Sequence, residues 1–576
     1  MPPLAQANRI LVLDGDMTPA LAITRSLGRM GVHVDVASHR PGPIGGYSRH
    51  CRAIVACPDP LTREADFVAW CAEMLDRDVY RLVIPVTERT VVPLQALLSH
   101  PAGKRLTIAP PEALAVALDK DRTLALASEL GIASPRSVQV SHLWELEQAS
   151  QGMSVPMVLK PARSIGADGT ERRQLSVTYA FSHRELHDKA EHFLRYGPLL
   201  LQEYVGGVGV GIELIADRGE VMFAFQHQRL HEVPLTGGGS SLRKSVAVEP
   251  ELLEASRQLM GALKWHGVAM VEFKWNAEAR RFSLMEINGR FWGSLPLAIA
   301  AGADFPAMLY ELYTQGMVDP RPPAREEVYC RKLSSDIYWH EMVLRREGPP
   351  ELVIFPSTVS MLRDAMLLFS PNHYFDVQQW LDPKPGLIDL VRIWQEQTGR
   401  MKRLLADRRE RKAQRRAWHG GEVARRLRRA HQLLFVCYGN INRSALAERC
   451  YLQRHPDTGI KVLSAGFHEE SDRPADPEMV DVASHVGVDL HHWTSRRLDA
   501  AMVAESDVVF VMEQKHLHRL RQDFPQAADK AFLMNAGTMA GNSIEIPDPY
   551  GKERATYVRV CDQVTRCVDH IASQLH

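Results

Sequence analysis

The sequence predicts a multidomain α/β protein, and three observations predict it. The chain has 576 residues, which at about 150 residues per domain predicts roughly three to four domains. In the first hundred residues, short apolar runs alternate with helical patterns, which indicates a parallel sheet. Near residue 433 another apolar run leads directly into a short loop and a helix. We therefore expect an N-terminal α/β domain, a mixed α+β domain and a C-terminal domain with a central parallel sheet.

The composition is ordinary for a folded globular protein, with 45% hydrophobic and 24% charged residues. The formal net charge is zero, so no overall field attracts nucleic acid, and no nucleic-acid partner is expected. No apolar run approaches the roughly 18 residues of a transmembrane segment, and the first residues lack a signal-peptide pattern. The eight cysteines show no zinc-binding spacing. These features predict a cytoplasmic protein with reduced thiols.

The first domain is predicted at residues 1–118. Residues 9–13 form an apolar, strand-like run, a helical pattern follows as far as Gly31, and residues 32–37 carry valine at every other position. This order of strand, helix and strand predicts a Rossmann-like domain. The first turn, Asp14-Gly15-Asp16, lacks the spacing G-x-G-x-x-G, so a dinucleotide site is not expected.

The second domain is predicted at residues 119–318, and its main feature is a pair of carboxylates. Glu286 follows Glu272 by fourteen residues, and Asn288 and Arg290 come next at alternate positions. Alternation places Glu286, Asn288 and Arg290 on one face of a strand. Because Mg²⁺ prefers oxygen ligands, Glu272, Glu286 and Asn288 are the predicted metal ligands. The alternative is that both carboxylates face solvent at a sheet edge.

Other residues of this domain suit a nucleoside triphosphate. Two lysines would neutralise phosphate charge, and backbone N–H groups of a glycine-containing loop at residues 164–170 would close over the phosphates. A strand that runs into a linker after residue 202 could bond an adenine edge. The predicted ATP-binding residues are Lys120, Lys160, Gly166, Gly169, Glu203, Tyr204 and Val205.

These motifs resemble the ATP-grasp superfamily, specifically its predicted carboligase-type branch, over residues 9–318. The resemblance implies a pre-ATP-grasp domain followed by an ATP-grasp domain, with ATP as substrate and Mg²⁺ or Mn²⁺ as the metal. It implies an ADP-forming ligation, in which a small-molecule carboxylate becomes an acyl phosphate and an amine or other nucleophile then displaces the phosphate. Arg290 would hold the carboxylate or acyl phosphate. The acidic residue that commonly holds the ribose is not at its expected offset after Glu203, and Glu213 is the candidate to replace it. Members often dimerise, so a homodimer is a candidate assembly.

Two segments separate this domain from the last one. Residues 319–399 are predicted to pack on the ATP-grasp domain as an accessory segment. Residues 400–430 contain thirteen Lys or Arg residues and three acidic ones. Such a basic stretch could bind acidic lipid, polysaccharide or nucleic acid. The zero net charge of the whole chain favours a solvated helical linker instead.

The most informative motif is a C-x5-R loop that starts at Cys437 and ends at Arg443. It lies between an apolar strand and a helix, so backbone N–H groups and the helix dipole favour a bound dianion and a thiolate nucleophile. The planar fork of Arg443 can hold two phosphoryl oxygens. Asp548 stands between two prolines in a stiff loop and is the candidate general acid. The remaining loop residues are Tyr438, Gly439, Asn440, Ile441, Asn442 and Ser444.

These residues resemble the low-molecular-weight protein tyrosine phosphatase family over residues 431–576. The resemblance implies Cys437 as nucleophile of a phosphocysteine intermediate, Arg443 as phosphate clamp and Asp548 as general acid. Asn440 and Ser444 would shape the loop and stabilise the thiolate. Asn442 stands where the family usually has a second cysteine, which removes the usual protective disulfide partner but not the chemistry.

Together the motifs predict a bifunctional enzyme, a carboxylate ligase fused to a phosphatase that acts on a phosphorylated protein or metabolite. One alternative is a regulatory tyrosine phosphatase whose ATP-grasp domain senses ATP without ligating anything. A second alternative is an arsenate reductase, which uses the same fold as the C-terminal domain. Such reductases need resolving cysteines, and Cys561 and Cys567 lie on a helical stretch rather than in an obvious resolving loop.

Overall fold

The computed structural model describes residues 8–161, 165–168, 171–174, 177–538, 543–552 and 554–575. The chain divides into two compact units, Met1–Trp394 and Gln395–His576. In these ranges no helix combines the length and the hydropathy that a bilayer-spanning segment needs. The α/β multidomain architecture predicted from the sequence is confirmed by the sheets described below.

The first sheet is parallel, with strand order β3-β2-β1-β4. Strands β1, β2 and β4 are almost wholly buried, because helices cover both faces of such a sheet. Its elements are β1 (Arg9–Val12), α1 (Thr18–Arg29), β2 (His33–Ser38), β3 (Cys51–Ala56), α2 (Glu64–Asp76), β4 (Leu82–Ile84), α3 (Glu88–Leu94) and α4 (Pro111–Ala117).

A small antiparallel sheet follows, with order β5-β10-β6-β9. Asp119 caps the helix that precedes it by accepting the N–H groups of Asp121 and Arg122, and this places Lys120 in the first helical turn. Strands β7 and β8 form a separate two-stranded sheet. The elements of this part of the chain are α5 (Lys120–Glu129), β5 (Ser137–Val140), α6 (Leu146–Ser150), β6 (Met157–Pro161), β7 (Ile165–Asp168), β8 (Glu171–Gln174), β9 (Thr178–Ala180), α7 (His183–Leu194) and β10 (Leu199–Glu203).

The largest sheet has seven strands in the order β15-β14-β11-β12-β13-β16-β17. Only β16 and β17 pair in parallel, and both come from the predicted accessory segment, which therefore extends this sheet. Its elements are β11 (Val208–Asp217), β12 (Glu220–Val233), β13 (Gly239–Val246), α8 (Pro250–Leu263), β14 (Gly267–Asn276), β15 (Arg281–Asn288), α9 (Leu295–Ala301), α10 (Phe305–Gln315), β16 (Tyr329–Arg331), α11 (Leu333–Arg345), α12 (Thr358–Met366) and β17 (His373–Phe375).

The last sheet is parallel, in the order β19-β18-β20-β21. Its central strand β18 is buried along its whole length, which explains the unbroken apolar run in the sequence. The elements of this part of the chain are α13 (Pro383–His419), α14 (Glu422–Leu427), β18 (Gln432–Cys437), α15 (Arg443–Arg454), β19 (Lys461–Gly466), α16 (Pro477–Ser484), α17 (Ala500–Glu505), β20 (Val508–Val511), α18 (Gln514–Asp523), β21 (Ala531–Leu533) and α19 (Arg554–Ser573).

Candidate active sites

The C-terminal site is built around Cys437, the last residue of β18. Its Sγ accepts hydrogen bonds from the backbone N–H of Asn440 at 3.2 Å and from the Ser444 hydroxyl at 3.0 Å. Both donors favour a negative charge on sulfur, because a hydrogen bond to the charged form stabilises it. The thiol is only 2% exposed, so the loop presents it at the floor of the site.

Asn440 holds the loop in shape from inside the protein. Its φ of 53° lies in the left-handed region, which asparagine tolerates better than most residues. Its amide nitrogen donates to the hydroxyls of Ser444 at 2.9 Å and Ser464 at 2.7 Å, and its amide oxygen accepts from the backbone N–H of Arg496 at 2.7 Å. The Trp493 indole donates to its carbonyl at 2.7 Å. The loop is therefore fixed by residues distant in sequence.

Arg443 begins helix α15 and is almost wholly buried, with 1% of its side chain exposed. Nη1 lies 2.5 Å from Glu513 Oε1 and donates to the carbonyl of Ile546 at 3.0 Å. Nη2 lies 2.6 Å from Asp548 Oδ2. Burial raises the pKa of Glu513, but the hydrogen bonds from Arg443 and Lys515, together with the positive charge of Arg443, hold that pKa below its usual value. The structure thus brings together the clamp and the acid, which are 105 positions apart.

Asn442, which stands where the resembling family usually has a second cysteine, forms a hydrogen bond within the domain. The Asn442 side chain donates to Asp476 Oδ2 at 3.2 Å, and the same oxygen accepts a hydrogen bond from the Tyr557 hydroxyl at 2.5 Å.

Two aromatic side chains, Tyr438 and Tyr550, are about half exposed or more, at 49% and 60%. They belong to the loop that follows the thiol and to the loop that follows the acid.

The second site lies on the seven-stranded sheet, where Glu272 and Glu286 are direct cross-strand partners. The Asn288 amide donates to Glu272 Oε1 at 3.2 Å and to Glu286 Oε1 at 3.3 Å. Arg229, which the sequence did not suggest, places Nη2 2.6 Å from Glu272 Oε2. Burial raises the pKa of Glu272, the positive charge of Arg229 opposes this, and the negative charge of Glu286 adds to it.

The cations predicted from the sequence act on Glu286. Burial alone would raise its pKa, but the charges of Lys120, Lys160 and Arg290 lower it. Lys160 is itself only 8% exposed, and burial lowers its pKa to about 8, against the attraction of Glu286. Arg290 Nη2 is held 3.1 Å from Glu88 Oε1, at the start of α3 in the first domain. Lys120, Lys160 and Arg290 thus all act electrostatically on Glu286.

The remaining nucleotide-binding predictions fall at different places. Glu203, Tyr204 and Val205 end β10 and begin the connection to β11, and the Tyr204 ring meets Tyr179 edge-on at 6.3 Å. The predicted glycine loop, residues 164–170, contains β7, which pairs with β8. Gly166 is part of β7, and Gly169 lies outside the described residues.

Glu213 does not fit its predicted contact with a ribose. The side chain is completely buried in β11. Its Oε1 accepts the Ser294 hydroxyl at 2.7 Å and lies 2.9 Å from His227 Nδ1. A glutamate ten residues after Glu203 looks available in the sequence, but the register of the sheet turns it into the interior, where Oε1 already contacts Ser294 and His227.

The carboxylate pair fits a divalent cation with few protein ligands. In the described residues, no group of three His, Cys, Asp or Glu side chains is arranged to hold a metal. Glu272 and Glu286 face each other with an amide between them, and a Mg²⁺ ion is commonly bound by one or two carboxylates together with substrate phosphates. The donor set is therefore suitable for Mg²⁺ or Mn²⁺ that arrives with a nucleotide.

Comparisons with known proteins agree with the C-terminal geometry. Residues 432–576 match the family described as low molecular weight phosphotyrosine protein phosphatase. The low molecular weight protein-tyrosine-phosphatase Etp of Escherichia coli (strain K12) is 34% identical over 145 residues, which are 25% of this chain and 95% of the relative. The chain belongs to the low-molecular-weight protein-tyrosine-phosphatase family. Wzb of the same strain, described in the same words, is 33% identical over 146 residues, 25% of this chain and 96% of the relative.

The low-molecular-weight phosphatase domain is joined to an ATP-grasp region. Residues 195–335 match the family described as ATP-grasp in the biosynthetic pathway with Ter operon, which confirms the predicted combination. An ADP complex of N5-carboxyaminoimidazole ribonucleotide synthetase is similar over 60% of this chain and 85% of that chain, at 15% identity and a TM-score of 0.46.

Sequence reasoning missed several residues of the phosphatase site. Glu513 follows strand β20 by two positions, and Ser464 lies on the neighbouring strand β19. Because parallel strands end at the same edge of a sheet, polar residues at or just beyond the ends of β19 and β20 could have been selected as partners of the C-x5-R loop. No sequence pattern indicated Arg473, although its Nη2 donates to the carbonyl of Gly439 at 2.6 Å.

The two cysteines considered for an arsenate reductase are interior residues of α19. Cys561 and Cys567 are 1% and 0% exposed, and burial raises the pKa of Cys567 to about 12. The Cys567 thiol donates to the Asn535 side-chain oxygen at 3.2 Å. Both thiols therefore serve the packing of the phosphatase domain, and their positions do not favour the reductase alternative.

Proposed function

We propose that the chain is a bifunctional enzyme. The C-terminal domain would hydrolyse phosphotyrosine-type monoesters through a phosphocysteine, and the N-terminal unit would be an ATP-dependent, ADP-forming carboxylate ligase. The observation that carries the first part is the arrangement of the Cys437 thiol, supported by two donors, with the Arg443–Asp548 pair beside it. Nucleophile, phosphate clamp and proton donor are the three groups that phosphoryl transfer to a thiol requires.

In the first half-reaction the Cys437 thiolate attacks phosphorus and the bond to the ester oxygen breaks. The leaving oxygen takes a proton from Asp548, whose side chain is 39% exposed and so can reach a substrate. Arg443 holds two equatorial phosphoryl oxygens through its fork. To do so, Nη2 must exchange its contact with Asp548 for a contact with the substrate. Glu513 and the Ile546 carbonyl continue to hold Nη1.

In the second half-reaction a water molecule attacks the phosphocysteine. Asp548, now ionised, accepts the proton of that water, the S–P bond breaks and the Cys437 thiolate is restored. The hydrogen bonds from Asn440 and Ser444 stabilise the returning negative charge on sulfur. The same carboxyl group therefore acts first as acid and then as base.

An aryl phosphate is the favoured substrate class. Tyr438 and Tyr550 offer exposed rings on the two loops that bound the site, and a phenyl ring can pack between such surfaces. The relatives Etp and Wzb are described as protein-tyrosine-phosphatases, which supports the same choice.

For the ligase, the carboxylate pair is the supporting observation. Glu272, Glu286 and Asn288 would hold Mg²⁺ or Mn²⁺, which when bound would neutralise the phosphates of ATP. Lys120 and Lys160 would bind phosphate oxygens beside the pair. Arg290, oriented by Glu88, would place a carboxylate for attack on the γ-phosphate, which gives ADP and an acyl phosphate. An amine would then attack the acyl carbon and release inorganic phosphate.

A separate variant of the full chain tests each of the two activities. Cys437→Ser should abolish hydrolysis of a phosphotyrosine peptide and retain binding of inorganic phosphate, whereas the control Cys450→Ala should remain active. Turnover by Cys437→Ser would contradict the nucleophile.

Glu286→Gln should abolish Mg²⁺-dependent ADP release with a mixture of carboxylates and amino acids, weaken Mn²⁺ binding and leave the phosphatase active. The exposed Glu278→Gln is its control. Wild-type protein that binds ATP but releases no ADP in this mixture would contradict the ligase and favour an ATP sensor.

A further inference from the structure

The phosphatase domain contains a helical extension that its family match does not include. The match begins at residue 432, but the second compact unit begins at Gln395. The C-terminal part of α13 and the short helix α14 therefore belong to this unit. Residues predicted as a solvated basic linker thus include core residues, and Trp418, Val423 and Leu427 are 7% exposed or less.

Trp418 anchors this extension. Its indole nitrogen donates to the carbonyl of Leu533 at 3.0 Å, and its ring stacks on Phe510 with centroids 5.7 Å apart. The ring lies against Gly537, where an added Cβ would come within 2.6 Å of the indole. A bulky aromatic side chain held by one hydrogen bond and fitted over a glycine indicates permanent packing rather than a loose contact.

One turn earlier, Gln414 occupies the edge of the same sheet. Its side-chain oxygen accepts the backbone N–H of Leu533 at 2.9 Å, so Gln414 and Trp418 together bind both backbone groups of the last residue of β21. Glu410 lies 3.1 Å from Arg521 on α18. The extension thus covers an edge strand that would otherwise expose unpaired backbone groups.

The next turn of the helix reaches residues adjoining the active site. Arg411 Nε donates to the Gln514 side-chain oxygen at 3.0 Å, and its Nη2 lies 3.9 Å from Glu545 Oε2. Gln514 in turn donates through its side chain to the carbonyl of Asp407 at 3.2 Å and through its backbone N–H to Glu545 Oε1 at 2.7 Å. Gln514 and Glu545 are therefore tied to each other and to the helix.

These two residues adjoin the groups that hold Arg443. Gln514 follows Glu513, which lies 2.5 Å from the guanidinium. Glu545 precedes Ile546, whose carbonyl accepts from Arg443 at 3.0 Å and whose N–H donates to the carbonyl of Met512 at 2.9 Å. Asp548 comes two residues later in the same loop.

We propose that the helical extension sets the position of the general-acid loop and that Arg411 is the positioning residue through which it does so. Arg411 touches neither substrate nor reacting atoms. It fixes Gln514 and Glu545, and these hold the ends of the two segments that carry Glu513 and Asp548. The chain would thereby need α13 for efficient proton donation, a requirement that a phosphatase starting at residue 432 could not have.

The proposal rests on the phosphatase function proposed above, and the test separates the two. The full chain is compared with Arg411→Ala and with Arg415→Ala, an exposed arginine one turn further along the helix. Two substrates are used: phenyl phosphate, whose leaving group needs a proton, and 4-nitrophenyl phosphate, whose leaving group needs it much less. We expect kcat/KM for phenyl phosphate to fall about 10-fold in Arg411→Ala, because general-acid catalysis depends on position, and kcat/KM for 4-nitrophenyl phosphate to change little.

Arg415→Ala should leave both values unchanged, and Arg411→Ala should cause no further loss in an Asp548→Asn background. An equal loss for both substrates, or no loss for either, would overturn the proposal, since a purely structural role does not change the dependence on the leaving group. Failure of the phosphatase function itself is a different result, because the wild-type chain would then hydrolyse neither substrate.

Discussion

Replacing Asp548 by asparagine should have two effects of opposite sign. The variant keeps the size of the side chain but removes the proton donor, which should lower kcat/KM for phenyl phosphate by about 10²–10⁴-fold. It also removes a carboxylate that lies 2.6 Å from Arg443 in the substrate-free protein. Because that carboxylate is 39% exposed, the ion pair contributes at most about 1 kcal/mol, and the variant should bind inorganic phosphate up to about fivefold more tightly.

The two effects need separate assays. Steady-state hydrolysis of phenyl and 4-nitrophenyl phosphate gives the dependence on the leaving group, and competitive inhibition by phosphate gives the affinity. Asp472→Asn, which changes an acidic residue of a loop in the same domain, serves as the control and should leave both values unchanged. Weaker phosphate binding in Asp548→Asn, or an equal loss for the two esters, would refute the roles assigned to Asp548 and Arg443.

Three further predictions concern the extension, the loop and the second site. Trp418→Ala should destabilise the phosphatase unit by about 3–5 kcal/mol, because it removes a buried ring and leaves the Leu533 carbonyl unpaired; chemical denaturation compared with the exposed Arg416→Ala would measure this, and a change below about 1 kcal/mol would contradict the packing. Peroxide inactivation of the wild type should resist reversal by a thiol, because Asn442 replaces the usual second cysteine. The phosphatase activity of Asn442→Cys should be recovered by a thiol after peroxide treatment, and that of Asn442→Ser should not. Equal recovery of activity in all three proteins would argue against this explanation. For ATP, kcat/KM of the wild type should fall above about pH 8, since burial lowers the pKa of Lys160 to about 8 and its positive charge is lost above that pH. The Lys160→Arg variant should show this decline at higher pH. A pH profile of the variant that equals that of the wild type would exclude Lys160 as the titrating group.

The sequence determined the chemistry that depends on local spacing. Cys437 and Arg443 are six positions apart, and a strand followed by a helix leaves few conformations for the loop between them. The alternation of Glu286, Asn288 and Arg290 follows from the two-residue repeat of a strand. Functions of this kind can be predicted from the sequence because residues close together in the chain constrain one another's positions directly.

The tertiary structure decided which distant residues join these motifs. Cross-strand register places Glu272 against Glu286 and brings Arg229 to the pair, but turns Glu213 into the interior. The same physical reason applies to Glu513 and Trp418. Their partners lie 70 and 115 positions away, and only the order of strands in a folded sheet determines such pairings. A basic run that reads as a linker by its charge is thereby a packed part of the phosphatase unit, because Trp418, Val423 and Leu427 are buried in its core.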